Sequence, residues 1–215
     1  MLSVFFLERP VEDLDWVIYI LLLTMTIIVV GRILFSNNYE SLRNMENFQE
    51  VNDNQALFGV IFQFCFAVLA GAIMMGYLVS DYDYIFYTPV LKTLAIAVLI
   101  LVFYGARSVL GTVAAYAFGI SHDRNFNLKT LNFFRAYSVF VLWGAVLLFY
   151  FTEVHKPLIL GVLVAVLVMI RVLTYRYIFK NQPEKQSKIW YYNILYLCAL
   201  EILPLLVLFK FLNMW

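Results

Sequence analysis

The chain has 215 residues, 64% of them hydrophobic and 13% charged, with a mean hydropathy of +0.84 and a formal net charge of +1. A soluble domain of this size needs far more polar surface, so lipid must be the solvent for much of the chain. The net charge says nothing about nucleic acid, but the lack of a basic run interleaved with aromatics argues against it as a partner.

Residues 1–15 carry one basic side chain, Arg9, against Glu8, Glu12, Asp13 and Asp15. That is the wrong sign for the start of a signal peptide, and no small-residue cleavage site follows, so the first apolar segment is expected to persist as a helix. A helix rising 1.5 Å per residue needs about 20 apolar residues to cross a hydrocarbon core of roughly 30 Å. Six runs meet that length, at about 16–35, 56–79, 93–118, 133–152, 158–178 and 190–212. Continuous runs of this length exclude the short alternating strands of a β-barrel. The expected fold is therefore all-α, a polytopic bundle of six transmembrane helices forming a single membrane domain over 1–215.

The loops after spans one, three and five hold nine Lys and Arg residues, among them Arg43, Lys129 and Lys180, against four on the other side. The positive-inside rule then makes those loops cytoplasmic and turns both termini outward. In the first of these loops Tyr39, Leu42, Met45, Phe48 and Val51 recur every third residue. This predicts either a surface helix over 38–52 or a solvated linker. Arg43 there faces Glu40, Glu46, Glu50 and Asp53, so anionic lipid would repel the segment and protein is the better surface for it. The tight turn from Thr152 to Pro157 makes spans four and five antiparallel neighbours.

Small residues recur at four-residue spacing in spans two and three: Ala67 and Gly71, Ala72 and Gly76, then Gly111, Ala115 and Gly119. Such stripes let helix backbones approach closely in lipid, within one chain or between copies in a homo-oligomer. Cys65 and Cys198 both fall in apolar runs and read as small packing residues.

Three ionisable residues interrupt the apolar runs: Arg107, Arg171 and Glu201. Charges at membrane depth must pair or be hydrated, and a guanidinium fork suits a carboxylate, so Glu201 is expected to pair with Arg107, Arg171 or both. The cluster reads either as a polar key that fixes helix register or as an ion or anion site. Pro204, three residues after Glu201, predicts a kink in the last span. Asn132, Arg135 and Tyr137 open span four and read as interfacial anchors or as the rim of a polar pocket.

Catalytic chemistry is missing. The two histidines, His122 and His155, are placed in loops on opposite sides of the membrane. They cannot share a metal or ligate a haem between helices, so no metal and no cofactor is expected. Membrane proteases and desaturases need histidine clusters or paired aspartates within the spans, and no Gly-rich phosphate loop is present. An enzyme is not expected.

The run from Ile194 through Leu197, Glu201 and Pro204 to Leu206 resembles the closing signature of an uncharacterised family of bacterial multi-span membrane proteins, a domain of unknown function found mainly in the Bacteroidetes. The resemblance implies the bacterial inner membrane and no particular activity. That lineage runs envelope machines for gliding and secretion, so the implied role is a non-enzymatic accessory subunit of an envelope complex, partnered by the bilayer and other membrane proteins. The alternative expectation is a small transporter of an ion or anionic solute built on Glu201, Arg107 and Arg171.

Overall fold

Helix α1 (Asp15–Leu34) starts where the Leu14 carbonyl accepts from the amides of Val17 and Ile18. Asp15 in its first turn and Arg32 in its last complement the helix dipole. The structure is a computed structural model that describes residues 14–51, 54–77, 88–117 and 121–180, and among these no strand occurs. Two short helices follow, α2 (Ser36–Ser41) and α3 (Met45–Glu50), where the sequence offered one surface helix or a solvated linker. The break is at Asn44, whose backbone is extended while its side chain accepts from the Glu46 amide at 3.1 Å. An asparagine that caps a new helix ends the old one, which a three-residue apolar rhythm does not reveal.

Helix α4 (Gln55–Tyr77) is entered through Asn54, which takes a φ of 34° and presents its carbonyl to the Phe58 amide. Asparagine tolerates this left-handed region better than most residues. Helix α5 (Pro89–Ala117) begins on a proline, whose fixed φ and missing amide suit the first turn. Helix α6 (Ser121–Phe151) starts twelve residues before the span expected from 133, and places His122 in its first turn rather than in a loop. Hydropathy marks where the apolar stretch begins, whereas a helix continues for as long as its polar turns find neighbours to pack against. Helix α7 (Lys156–Lys180) carries Pro157 in its first turn and returns antiparallel to α6.

Five of these helices, α1 and α4 to α7, are long and apolar enough to cross a membrane. The sixth expected span, 190–212, lies outside the described residues, with Cys198. The surface follows the same logic. Ile33 of α1, Val60 of α4, Val102 of α5 and Met169 of α7 are all more than 60% exposed. Apolar exposure on four separate helices marks a membrane protein, because water would penalise it and acyl chains do not.

Helix α6 is the spine. Its side chains donate to main-chain carbonyls on three other helices and one connection: Lys129 to Gln49 at 2.6 Å, Asn132 to Gln55 at 3.1 Å, Tyr137 to Leu42 at 2.8 Å, Trp143 to Leu21 at 3.5 Å and Tyr150 to Ala72 at 2.7 Å. These bonds place α3, the start of α4 and the start of α6 on one side of the bundle. On the opposite side the Trp16 ring meets Tyr150 edge-on.

Rings fill the space between α2–α3 and the bundle. Phe58 is 1% exposed and touches Phe35, Tyr39, Phe48 and Phe62, with the Phe62 centroid 4.6 Å away. Phe48 is fully buried and meets Phe133 of α6 at 5.5 Å. The Tyr39 hydroxyl donates to the Ile28 carbonyl at 3.0 Å, and burial pushes that phenol up to about 12, so the donor proton is retained. The α2–α3 segment thus rests on protein, as its acidic character suggested. Along α4 the small residues serve packing inside the chain. A Cβ on Gly71 would lie 2.9 Å from the Thr93 carbonyl oxygen of α5, and one on Gly76 would lie 2.5 Å from the Tyr150 hydroxyl. Cys65, on the same helix, is a fully buried free thiol.

Candidate functional site

Between α4, α5, α6 and α7 lies a cleft of about 340 Å³. Two arginines line it, Arg135 from α6 and Arg171 from α7, with Tyr104 of α5 and Phe66 of α4 closing the far wall. Among the described residues, none that lines it is acidic.

Each arginine is held by a neutral partner. A guanidinium nitrogen of Arg171 donates to the Tyr104 hydroxyl at 3.3 Å, and Arg135 donates to the Asn132 side-chain oxygen at 3.2 Å, one helical turn earlier. Asn132 is fixed in turn, because its amide nitrogen donates to the Gln55 carbonyl and its side chain packs against Gly59. Tyr104 is steadied by an edge-on contact with Phe66, centroids 5.9 Å apart. Accepting from Arg171 leaves the Tyr104 hydroxyl its own proton to donate. Arg135 is half-buried and sits within electrostatic reach of both Arg171 and Arg107.

Like charges gathered in a weakly polar cleft repel one another, and an anion between them relieves the repulsion. A guanidinium presents several N–H donors in a fixed plane, so two of them converging suit a phosphate or carboxylate. Among the described residues no group of His, Cys, Asp and Glu suits a metal ion.

The residues expected from the sequence fall into three groups. Arg107 of α5 and Arg171 of α7 each lie within electrostatic reach of Arg135, and Arg171 lines the cleft with it. Glu201, Pro204 and Gly119 lie outside the described residues. Gly111 and Ala115 belong to the last two turns of α5. Tyr104 was not read as a site residue, and Arg135 was read as an interfacial anchor or the rim of a polar pocket. The signal for Arg135 was a polar row, Asn132, Arg135 and Ser138, recurring every third residue where the helix turns apolar.

The Gly59 contact yields a prediction. A Cβ there would stand 2.5, 2.6 and 2.8 Å from three atoms of the Asn132 amide group, which is already tied at both ends. Gly59→Ala should destabilise by about 1–3 kcal/mol, as overpacking does, and should release Arg135 from its partner. Thermal unfolding in detergent is the measurement. Adding Asn132→Ala to Gly59→Ala should recover most of the lost melting temperature, and failure to recover would show that the clash lies elsewhere.

No curated protein and no solved structure matches this chain at a significant level. A family model does match, the Domain of unknown function (DUF4271), over residues 14–212, which takes in every described helix and the polar cleft between them. The chain belongs to that family.

Proposed function

We propose that this chain is a non-enzymatic protein of the bacterial inner membrane whose cleft binds an oxyanion, the recognition step of a small carrier. The observation behind this reading is the pair Arg135 and Arg171, both lining a cleft with no lining carboxylate among the described residues and each oriented by a neutral hydroxyl or amide. The side of the bundle that carries α2 and α3 is cytoplasmic in this reading. Arg43, Lys129, Arg176 and Lys180 stand there, and the positive-inside rule favours that orientation.

The experiment is ligand-dependent stabilisation of the purified full chain. A ligand that binds only the folded state raises its stability by RT ln(1 + [L]/Kd), about 2.7 kcal/mol at a hundredfold excess over Kd. Inorganic phosphate and a short-chain phosphatidic acid are the probes. The melting temperature is expected to rise with one or both, and the rise should vanish in Arg135→Gln/Arg171→Gln. If neither probe raises it, the reading fails. Glu201→Gln separates an internal counter-ion from a ligand: a stronger response in that variant would assign Glu201 to the cleft as a competitor.

A second reading, an accessory subunit of an envelope complex, draws on a different surface. Glu40, Glu46 and Glu50 are exposed on α2 and α3, while Phe48 and Tyr39 hold those helices against the bundle. A rigid acidic ledge at the membrane surface suits a basic face of a neighbouring protein. Crosslinking in native membranes tests this, and loss of a reproducible adduct on Glu46→Lys/Glu50→Lys is the expected result.

A further inference from the structure

The cleft is polar at one end only. Besides its arginines, Tyr104, Ser138, Thr174 and Tyr175, its walls are carbon, including Phe66, Phe134 and Leu167. A free phosphate or a small dianion placed there would meet donors on one flank and apolar surface on the other, which is a poor exchange for a full hydration shell.

The apolar flank has a direction. Val164, Val168 and Val172 all line the cleft, and they stand one helical turn apart along α7. They are also 51%, 55% and 58% exposed. Residues that line a cleft and face outward at once form its rim, so the cleft opens sideways from the bundle along α7. A helix of this composition places that rim against acyl chains.

Depth agrees. The stacked rings of Phe126 and Tyr177, 6.3 Å between centroids, mark one layer at the same end of α6 and α7. Arg171 lies six residues and Arg135 nine residues inward from that layer, about 9 and 14 Å by helical rise. The arginines therefore lie two to three turns below that layer, beneath a mouth walled by hydrocarbon.

We infer that the anion held by Arg135 and Arg171 is the headgroup of a membrane-resident amphiphile, a phosphate-bearing lipid that enters across the valine rim with its chain along α7. This rests on the anion-binding reading above and specifies its ligand. The shared chemistry is a phosphate oxyanion on two guanidiniums and the Tyr104 hydroxyl. The source is what separates a lipid from a soluble ion. A cleft of about 340 Å³ holds a phosphate headgroup together with the first part of a chain, within the range of small-molecule sites.

The test uses the full chain purified in detergent. Native mass spectrometry with dioleoyl phosphatidic acid, with dioleoyl phosphatidylcholine and with no added lipid gives the lipid arm. Thermal shift with inorganic phosphate gives the soluble arm. Phosphatidic acid adducts are expected to exceed phosphatidylcholine adducts by about tenfold, the weight of one charge-assisted hydrogen bond, and to fall by a similar factor in Arg135→Gln/Arg171→Gln. Val168→Trp, on an exposed face where folding is not at stake, should block the rim and abolish the preference. A phosphate shift that needs the arginines, without a preference for phosphatidic acid, overturns the lipid inference and keeps the anion reading. Responses in neither arm, or adducts indifferent to the arginines and to Val168→Trp, overturn both.

Discussion

Phe58→Ala is expected to cost about 3–5 kcal/mol, the range for removing a buried aromatic side chain from a packed site. Phe58 is 1% exposed and makes ring contacts with four aromatic partners drawn from the end of α1, from α2, from α3 and from its own helix. In lipid, helices gain little from leaving the solvent, and their association depends on contact itself. A hole at the one ring that touches all four segments cannot be filled by collapse of any single neighbour. The loss should concentrate in α2 and α3, whose attachment runs through Phe48 and Tyr39. Limited proteolysis between residues 36 and 51 should speed up well before the bundle unfolds. The melting temperature of Phe58→Leu, which keeps most of the volume, should fall between wild type and Phe58→Ala. Equal melting temperatures for wild type and Phe58→Ala would mean the ring cluster contributes nothing to docking.

Gly71→Leu should be nearly as damaging, for the opposite reason. At Gly71 the nearest atoms to an added Cβ belong to main chain, the Thr93 carbonyl oxygen at 2.9 Å and the Ala97 amide nitrogen at 3.3 Å. Main chain inside a helix does not swing aside, so α4 and α5 must separate along their whole contact. Ala67, Val68 and Ala97, buried in the same seam, would lose their partners together. A cost of about 3 kcal/mol or more follows from overpacking plus lost contact. Gly71→Ala should give a smaller loss and Gly105→Ala almost none, since a Cβ at Gly105 meets nothing within 4 Å. Size-exclusion profiles of the three variants after a temperature series rank them. Equal profiles for Gly71→Leu and Gly105→Ala would contradict the close approach.

How much of this was legible depends on which physical property carries each feature. Membrane spans are a property of composition, and five of the six expected runs coincide with helices long and apolar enough to cross. Helix ends are a property of hydrogen bonding. The polar stretch before Asn132 looked like a loop because it is hydrophilic, yet it winds as the first turns of α6, where Lys129 can reach the Gln49 carbonyl on α3. The Asn44 cap was equally hidden, since an asparagine in a polar loop has many uses. Arg107 and Arg171 stood out because each breaks an apolar run. Arg135 did not, for it follows Asn132 near the expected start of a span and passed for an anchor. Tyr104 had no signal, since a tyrosine among apolar residues is common and only the Arg171 contact gives it a task. The expected partner of these arginines, Glu201, falls outside the described residues.

One property of α6 bears on how such a protein can change over time. Its donors Lys129, Asn132, Tyr137, Trp143 and Tyr150 each grip a carbonyl of the main chain. A carbonyl is supplied by every amino acid, so the positions gripped (Leu21, Leu42, Gln49, Gln55 and Ala72) answer for shape and polarity but not for the bond. Drift at those five positions leaves the bond intact, while loss of a donor removes it at a cost of about 0.5–1.5 kcal/mol. Relatives should therefore retain the donors while their acceptors wander. Correlated substitutions, the usual trace of two residues in contact, would be faint along the very helix that binds the others together.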